Sequence, residues 1–275
     1  HRDLHSFPTR TLFRSTNRTL VARFAEAGHP EQVVKFPTPK ETDQYIQRVA
    51  DHIHLVADGR PFDTISIALP GVVRDGVALW CPNLNWRDVP ILNLLKERFP
   101  TANIIVANDA NMAGLASMHR LDTMPRCGLY VTIGTGVGTS VVLNGEIIPA
   151  LSDCEGGHMI VPYNEKSHIW EHIASGRALH TTFGDLSSAA PPEVWSDIAE
   201  RIAAGLQPLV AFTQPDIIVI GGSISSFVDY FIDTLYGLLA ERLPAGIAVP
   251  KIISAPHSEE IVLYGCYDNA ITKHR

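Results

Sequence analysis

The sequence predicts an α/β protein built as two lobes with a cleft between them. Strands paired through tight turns are mixed with amphipathic helices, and the succession of strand, polar or glycine turn and helix recurs in both halves of the 275 residues. The composition, 45% hydrophobic and 19% charged, is that of an ordinary globular chain, long enough for two lobes with buried cores.

Residues 1–15, HRDLHSFPTRTLFRS, carry no hydrophobic period and resemble translated sequencing-adapter DNA. They are set aside as a non-native segment, with native sequence expected from Thr16. Thr19–Phe24 suits a short strand, and Val33–Phe36 a second one after a turn. Beyond the breakers Pro37 and Pro39, Glu41–Ala57 has Tyr45, Ile46, Val49, Ile53 and Val56 at helical spacing. Ile65–Leu69 is a buried strand ending in the turn Pro70-Gly71, and Ile91–Phe99 is a helix. The strand Asn103–Ala107 runs into Asn108-Asp109-Ala110-Asn111, which opens a helix through His119. In the second half, Leu129–Ile133, the turn Gly134–Gly138 and the strand Ser140–Leu143 lead to the hairpin turn Asn144-Gly145. Helix Glu193–Thr213, strand Ile217–Ile220, turn Gly221-Gly222-Ser223 and helix Phe227–Leu243 follow, then strand Lys251–Ala255 and a last helix from Ile261. The expected lobes are residues 16–115, with the helix 261–275 packing on them, and residues 116–260.

The bulk properties exclude several classes of function. A net charge of −7 argues against a general nucleic-acid or membrane-surface partner. It does not exclude a nucleotide, which backbone N–H groups and Mg²⁺ can hold. Cys81, Cys127, Cys154 and Cys266 form no CxxC pair and read as thiols of a reducing compartment, not as a disulfide frame or a zinc site. With no membrane-length apolar run and no signal-peptide core, the expected location is the cytoplasm.

Four clusters could carry chemistry. Gly134-Thr135-Gly136-Val137-Gly138 lies between two strands, where a glycine turn lets backbone N–H groups approach a phosphate. It departs from the dinucleotide fingerprint, since Thr139 replaces the third glycine and a strand follows; no GxxxxGK[ST] exists either. In Asn108-Asp109-Ala110-Asn111 a carboxylate stands at the C-terminal end of a strand, where α/β proteins collect ligands. Helix capping explains one such residue, and three polar residues in four exceed what a cap needs. Glu155-Gly156-Gly157-His158 and Glu171 supply carboxylates and an imidazole able to grip the hydroxyls of a polyol, with solvated surface groups as the plain alternative. Gly221-Gly222 suits either a nucleotide turn or a simple tight turn.

Taken in this order, ALPGVV (68–73), CPNLNW (81–86), VANDANMAGLA (106–116), YVTIGTGVGTSVVLNGEIIP (130–149), EGGHM (155–159), WEHIASGRAL (170–179) and PDIIVIGGSIS (215–225) resemble the ROK family of repressors, open reading frames and sugar kinases. The resemblance runs from about Thr16 to Tyr267. It implies two RNase H-like lobes of the actin/hexokinase-like superfamily, closing on a sugar with ATP and Mg²⁺ as co-substrates, and frequently a homodimer. It implies that Asp109 is the base that takes the proton of the attacking hydroxyl. Gly71, Asn83, Asn108, Glu155, His158 and Glu171 would then contact the sugar. Thr16, Gly134, Thr135 and Gly136 would lie at the ATP phosphates, and Gly221 and Gly222 at the adenosine.

Two departures from the family pattern stand out. The stretch MIVPYNEKSHIW has no cysteine where many members carry a zinc loop, so no metal ligand is assigned to the chain and His158 is left to the sugar. Phe13, Arg14 and Ser15 stand where the family has the aspartate and glycines of an Asp-x-Gly-Gly-Thr turn, so the chain lacks one metal-binding carboxylate and a well-formed first strand. The alternatives are a fragment of a sugar-responsive transcriptional regulator and a sugar-binding pseudokinase on the same lobes.

Overall fold

The computed structural model describes residues 18–24, 28–255 and 260–273; the segment 1–15 and Thr16 lie outside them. The elements run β1 (Arg18–Phe24), β2 (Pro30–Pro37), α1 (Thr42–Ala57), β3 (Thr64–Leu69), β4 (Val72–Arg74), β5 (Val77–Cys81), β6 (Trp86–Val89), α2 (Ile91–Arg98), β7 (Asn103–Asn108) and α3 (Asp109–His119). The second half continues with β8 (Cys127–Ile133), β9 (Val137–Leu143), β10 (Glu146–Ile147), β11 (Ile160–Tyr163), β12 (Lys166–Ile169), α4 (Trp170–Ala174), α5 (Gly176–Phe183), α6 (Pro192–Thr213), β13 (Ile217–Gly221), α7 (Val228–Arg242), β14 (Lys251–Ser254) and α8 (Ile261–Lys273).

Each half has its own core. In the first, α1 buries Tyr45, Ile46, Val49, Ala50, Ile53, Val56 and Ala57, the stripe its apolar spacing predicts. It ends where Asp58 takes a left-handed conformation with φ 51°, and its amide bonds back to the His54 carbonyl. The stripe meets Leu69, Trp86, Ile91 and Leu95 in one cluster. In the second half, a five-stranded sheet of order β10-β9-β8-β13-β14 packs against α6 and α7. Strand β8 pairs antiparallel with β9 and parallel with β13, and β13 pairs parallel with β14. A third cluster joins α3, β8, β13 and α8, with α8 lying along α3 and against β3.

Two registers decide where the glycine and acidic turns fall. Parallel pairing of β3 with β7 sets Leu69 opposite Asn108, so Pro70-Gly71 and Asn108-Asp109 share one sheet edge. Parallel pairing of β13 with β8 sets Gly221 opposite Thr132, so Gly221-Gly222 and the turn after Ile133 share another. Helix α3 lies on β9, where Gly138 has no room for a side chain: a Cβ there would stand 3.0 Å from the Ala110 Cβ. The approach of α3 to β9 therefore brings the two edges together.

The structure corrects some expected boundaries and adds elements. The glycine turn is three residues long, Gly134–Gly136, because Val137 and Gly138 pair with Ile133 and Thr132 as part of β9. The meander β4-β5-β6 and the hairpin β11-β12 carry no strong alternation and were not expected. Asn144 and Gly145, at φ 50° and 81°, form the expected hairpin turn between β9 and β10.

Candidate active site

The helix cap at the end of β7 is Asn108. Its Oδ1 accepts the Asn111 N–H at 2.9 Å, the bond of a helix cap, and its Nδ2 donates to the Gly71 carbonyl at 2.8 Å. The cap's duties fall on Asn108 and leave Asp109 half-buried at the first position of α3, with Oδ1 accepting the Ala110 N–H at 2.8 Å. Burial pushes the Asp109 carboxyl above its usual range, and the N–H groups of Ala110 and of Asp109 itself pull it partly back. Asn111, buried, donates through Nδ2 to the Ser152 carbonyl at 2.7 Å, which ties α3 to the chain leading into Glu155.

Glu155 precedes the single helical turn Gly156–His158. Its pKa is pushed up to about 7, first by burial and then by the negative charges of Asp109 and Glu171. Three carboxylates from separate parts of the chain thus share one electrostatic neighbourhood. Gly156 donates its N–H to Thr139 Oγ1 at 3.0 Å, a support that the sequence reading missed because a strand threonine has no distinctive pattern. His158 is exposed, with Nδ1 3.8 Å from Glu155 Oε2.

Glu171 sits on α4, a five-residue helix too short to be stable by itself. It is held by Trp170, which is fully buried and donates its indole N–H to the Arg201 carbonyl at 2.9 Å. Burying a side chain of this size contributes roughly 1.5–3 kcal/mol. The Glu171 Oε2 accepts the Val137 N–H at 2.8 Å. A Cβ on Gly136 would lie 2.3 Å from that oxygen, so only glycine lets the carboxylate reach the turn.

The turn itself is braced from behind and open in front. Gly134 donates its N–H to the Gly136 carbonyl at 2.9 Å and accepts the Gly176 N–H at 2.6 Å. No atom lies within 4 Å of where a Cβ on Gly134 would stand, leaving room beside Thr135 for a bulky anion. Gly222 has φ +79°, and its Cβ would lie 2.4 Å from the Ile133 carbonyl oxygen, so glycine is required there by the close approach alone. That requirement would account for Gly221-Gly222 even without a ligand.

Asn83, exposed on the turn Pro82–Leu84, lines with Asp109 a cavity of about 1240 Å³, and Glu155, His158, Glu171 and Gly134–Gly136 are not among its lining residues. Trp80 of β5 meets the His158 ring edge-on, with centroids 5.3 Å apart, and Arg74 of β4 pairs with Asp153 at 2.6 Å. Both contacts join the two halves beside Glu155, and the sequence reading missed both. The available signals were the hairpin dipeptide Asp75-Gly76 between β4 and β5, and a tryptophan two residues before the Pro82-Asn83-Leu84 turn. Among the described residues no group of three or more His, Cys, Asp and Glu side chains is arranged to hold a metal ion.

The family model of the ROK family matches residues 16–271, nearly the whole chain. The chain belongs to the ROK family. A ROK glucokinase from Streptomyces griseus, solved with glucose and AMPPNP, superposes with a TM-score of 0.77 at 20% identity, covering 93% of this chain and 96% of that one. A ROK transcriptional regulator, a homologue of the E. coli Mlc protein, superposes with a TM-score of 0.78 at 17% identity over 94% of this chain and 78% of that one. These likenesses establish the two-lobe actin/hexokinase-like fold for this ROK chain. In sequence it is 27% identical to the kanosamine kinase of Amycolatopsis mediterranei over 74% of this chain and 76% of that protein. It is 21% identical to the xylose repressor of Caldicellulosiruptor bescii over 74% of this chain and 61% of that protein. The chain spans 54% of the length of another Caldicellulosiruptor relative. Kinases and transcriptional regulators are thus both among the relatives of this ROK protein.

Proposed function

We propose that this ROK protein transfers the γ-phosphoryl group of ATP to a hydroxyl of a hexose or hexose derivative. The observation that carries the reading is the grouping of half-buried Asp109 with Glu155 and Glu171 beside the open face of Gly134–Gly136. In the proposed step, Asp109 accepts the proton of the sugar hydroxyl as its oxygen bonds to the γ-phosphorus. The bond to the β–γ bridging oxygen breaks, and ADP leaves. A carboxylate pushed upward by burial suits this role, because a base works best when its pKa approaches the working pH.

Glu155, His158, Glu171 through its second oxygen, Asn83, the free N–H of Asn108 and the backbone at Gly71 would hold the sugar. Gly134, Thr135 and Gly136 would hold the phosphates, and Gly221 and Gly222 the adenosine. Bound Mg²⁺ would neutralise charge on the phosphates. The lack of a three-ligand cage among the described residues suits an ion carried by ATP oxygens with one or two carboxylates at most. Thr16 is assigned to the phosphates by resemblance alone. We place the lobe boundary between residues 115 and 116, with α8 on the first lobe and the protein in the cytoplasm.

The relatives that are regulators favour a second reading, a sugar-binding regulatory or pseudokinase domain. Coupled ADP release in Mg-ATP across a panel of hexoses separates the two. It is measured on the chain as it stands and on a version carrying a strand and Asp-Ile-Gly-Gly ahead of Thr16. Turnover on one hexose, lost in Asp109→Asn, supports the kinase. Saturable sugar binding with no ADP release from either version supports the second reading.

A further inference from the structure

The start of β9 touches every element that carries one of the three carboxylates. The N–H of Val137 donates to Glu171 Oε2 at 2.8 Å. Gly138 packs against Ala110, the neighbour of Asp109 on α3, with no room for a side chain. Thr139 meets the turn that follows Glu155, and its Oγ1 accepts the Gly156 N–H at 3.0 Å. That turn lies flat on the strand. A Cβ on Gly157 would stand 2.0 Å from the Val137 carbonyl oxygen, and one on Gly156 would stand 2.6 Å from Thr139 Oγ1. Thr139, Gly156 and Gly157 are all buried. The hydroxyl therefore fills the space that a side chain at position 156 would take, and it pairs an N–H that water does not reach. Without it the N–H is left unpaired, and the turn gains by lifting off β9. Glu155 is tied only loosely by its own turn, with His158 Nδ1 3.8 Å from Oε2, beyond hydrogen-bond reach. Its place among the other carboxylates thus depends on where the backbone of Gly156–His158 is seated.

We infer that Thr139 is a positioning residue for Glu155: its hydroxyl clamps the Gly156–His158 turn to β9 and so holds the carboxylate beside Asp109 and Glu171 at the proposed sugar site. This role rests on the kinase reading for its sugar, while the clamp itself does not. The groups that face Glu155 are Asp109 from α3, Glu171 from α4, His158 from its own turn and Cys81 from β5. The Cys81 thiol, pushed up to about 12 by burial and then by Asp109 and Glu155, stays neutral between pH 5 and pH 8. Burial and the charges of Asp109 and Glu171 raise the Glu155 pKa only while the turn is seated, so its titration reports the clamp.

A mutant cycle read by urea unfolding at pH 5 and pH 8 tests it, combining Glu155→Gln with Thr139→Val, Thr139→Ala and Thr139→Ser. Valine keeps the shape and loses the hydroxyl; serine keeps the hydroxyl and loses the methyl. Alanine carries the cycle if the valine variant does not fold. In the wild-type background Glu155→Gln should become relatively more stabilising as pH rises. In Thr139→Val and Thr139→Ala the turn lifts and Glu155 reaches water, so that gain between the two pH values should fall by about half or more. Thr139→Ser should restore it. Calorimetry with a hexose should show affinity about ten-fold weaker in Thr139→Val and Thr139→Ala and near the wild-type value in Thr139→Ser, with ATP affinity held throughout. An equal gain in the wild-type, valine and alanine backgrounds overturns the inference, as does a wild type with no gain or a loss that serine does not restore. A gain lost with valine and restored with serine, in a protein that binds no hexose, supports the clamp and refutes the kinase reading alone.

Discussion

Replacing Glu155 with glutamine should remove a pH dependence of stability that the wild-type chain carries. The carboxyl has its pKa pushed from 4.5 to about 7 in the folded protein by burial, Asp109 and Glu171. In the unfolded chain it loses its proton near 4.5, while the folded protein holds the proton until about 7, so the folded state binds more protons in between. Stability from this group is therefore complete below pH 4.5 and is lost as pH rises through 7. At about 1.4 kcal/mol for each pH unit between the two values, the loss approaches roughly 3 kcal/mol. The side chain is 27% exposed, so solvent screening makes this an upper figure. Glutamine has no proton to lose and no charge to set against Asp109 and Glu171. Urea unfolding of wild type and Glu155→Gln at pH 5, 6, 7 and 8 should give curves that diverge with rising pH, the variant becoming relatively more stable. At the upper end the variant's melting temperature should exceed the wild type's by about 5 °C or more. Parallel curves across the range would show that the three carboxylates do not share an environment, and the proposed sugar site would lose its basis.

Other outcomes follow from single contacts. Asn108→Ala removes both the helix cap and the clasp on the Gly71 carbonyl, and should cost about 1–2 kcal/mol in urea unfolding, whereas Asn108→Asp, keeping the cap acceptor, should cost less. Gly136→Ala places a Cβ 2.3 Å from Glu171 Oε2 and should force that carboxylate off the Val137 N–H, raising the KM for sugar and for ATP while far-ultraviolet circular dichroism stays unchanged. Trp80→Ala removes the ring beside His158 and should weaken sugar binding in calorimetry by about ten-fold, with little effect on ATP affinity.

Local patterns made most of the framework legible. The spacing of Tyr45, Ile46, Val49, Ile53 and Val56 marks α1, and the alternation of strands with Pro70-Gly71, Asn108-Asp109 and Gly221-Gly222 marks the sheet edges where ligands collect. The meander Val72–Val89 was missed although Asp75-Gly76, at φ 51° and 77°, is a hairpin signal between β4 and β5, because its strands are short and a register shift at Val72/Val73 leaves no clean period. With it went Trp80 and Arg74, whose importance rests on His158 and Asp153, residues more than seventy positions away. The acidic grouping was legible as residue types, but the raised pKa of Glu155 depends on a convergence that only the packing of α3 on β9 creates. Asn108 read as one of several polar residues, and only its bonds to the Asn111 N–H and the Gly71 carbonyl show that it both caps α3 and clasps the turn after β3.

The central claim is that Asp109 activates a sugar hydroxyl toward the γ-phosphate of ATP. Mass spectrometry of the products, after incubating the version with the added N-terminal strand and Asp-Ile-Gly-Gly turn with Mg-ATP and each hexose, tests it most directly. The account predicts a hexose monophosphate from at least one sugar, with its yield reduced about 10²–10⁴-fold in Asp109→Asn while calorimetry shows that sugar binding is retained. A hexose monophosphate formed equally by wild type and Asp109→Asn would contradict the role given to Asp109, and bound but unphosphorylated sugar throughout would contradict the kinase itself.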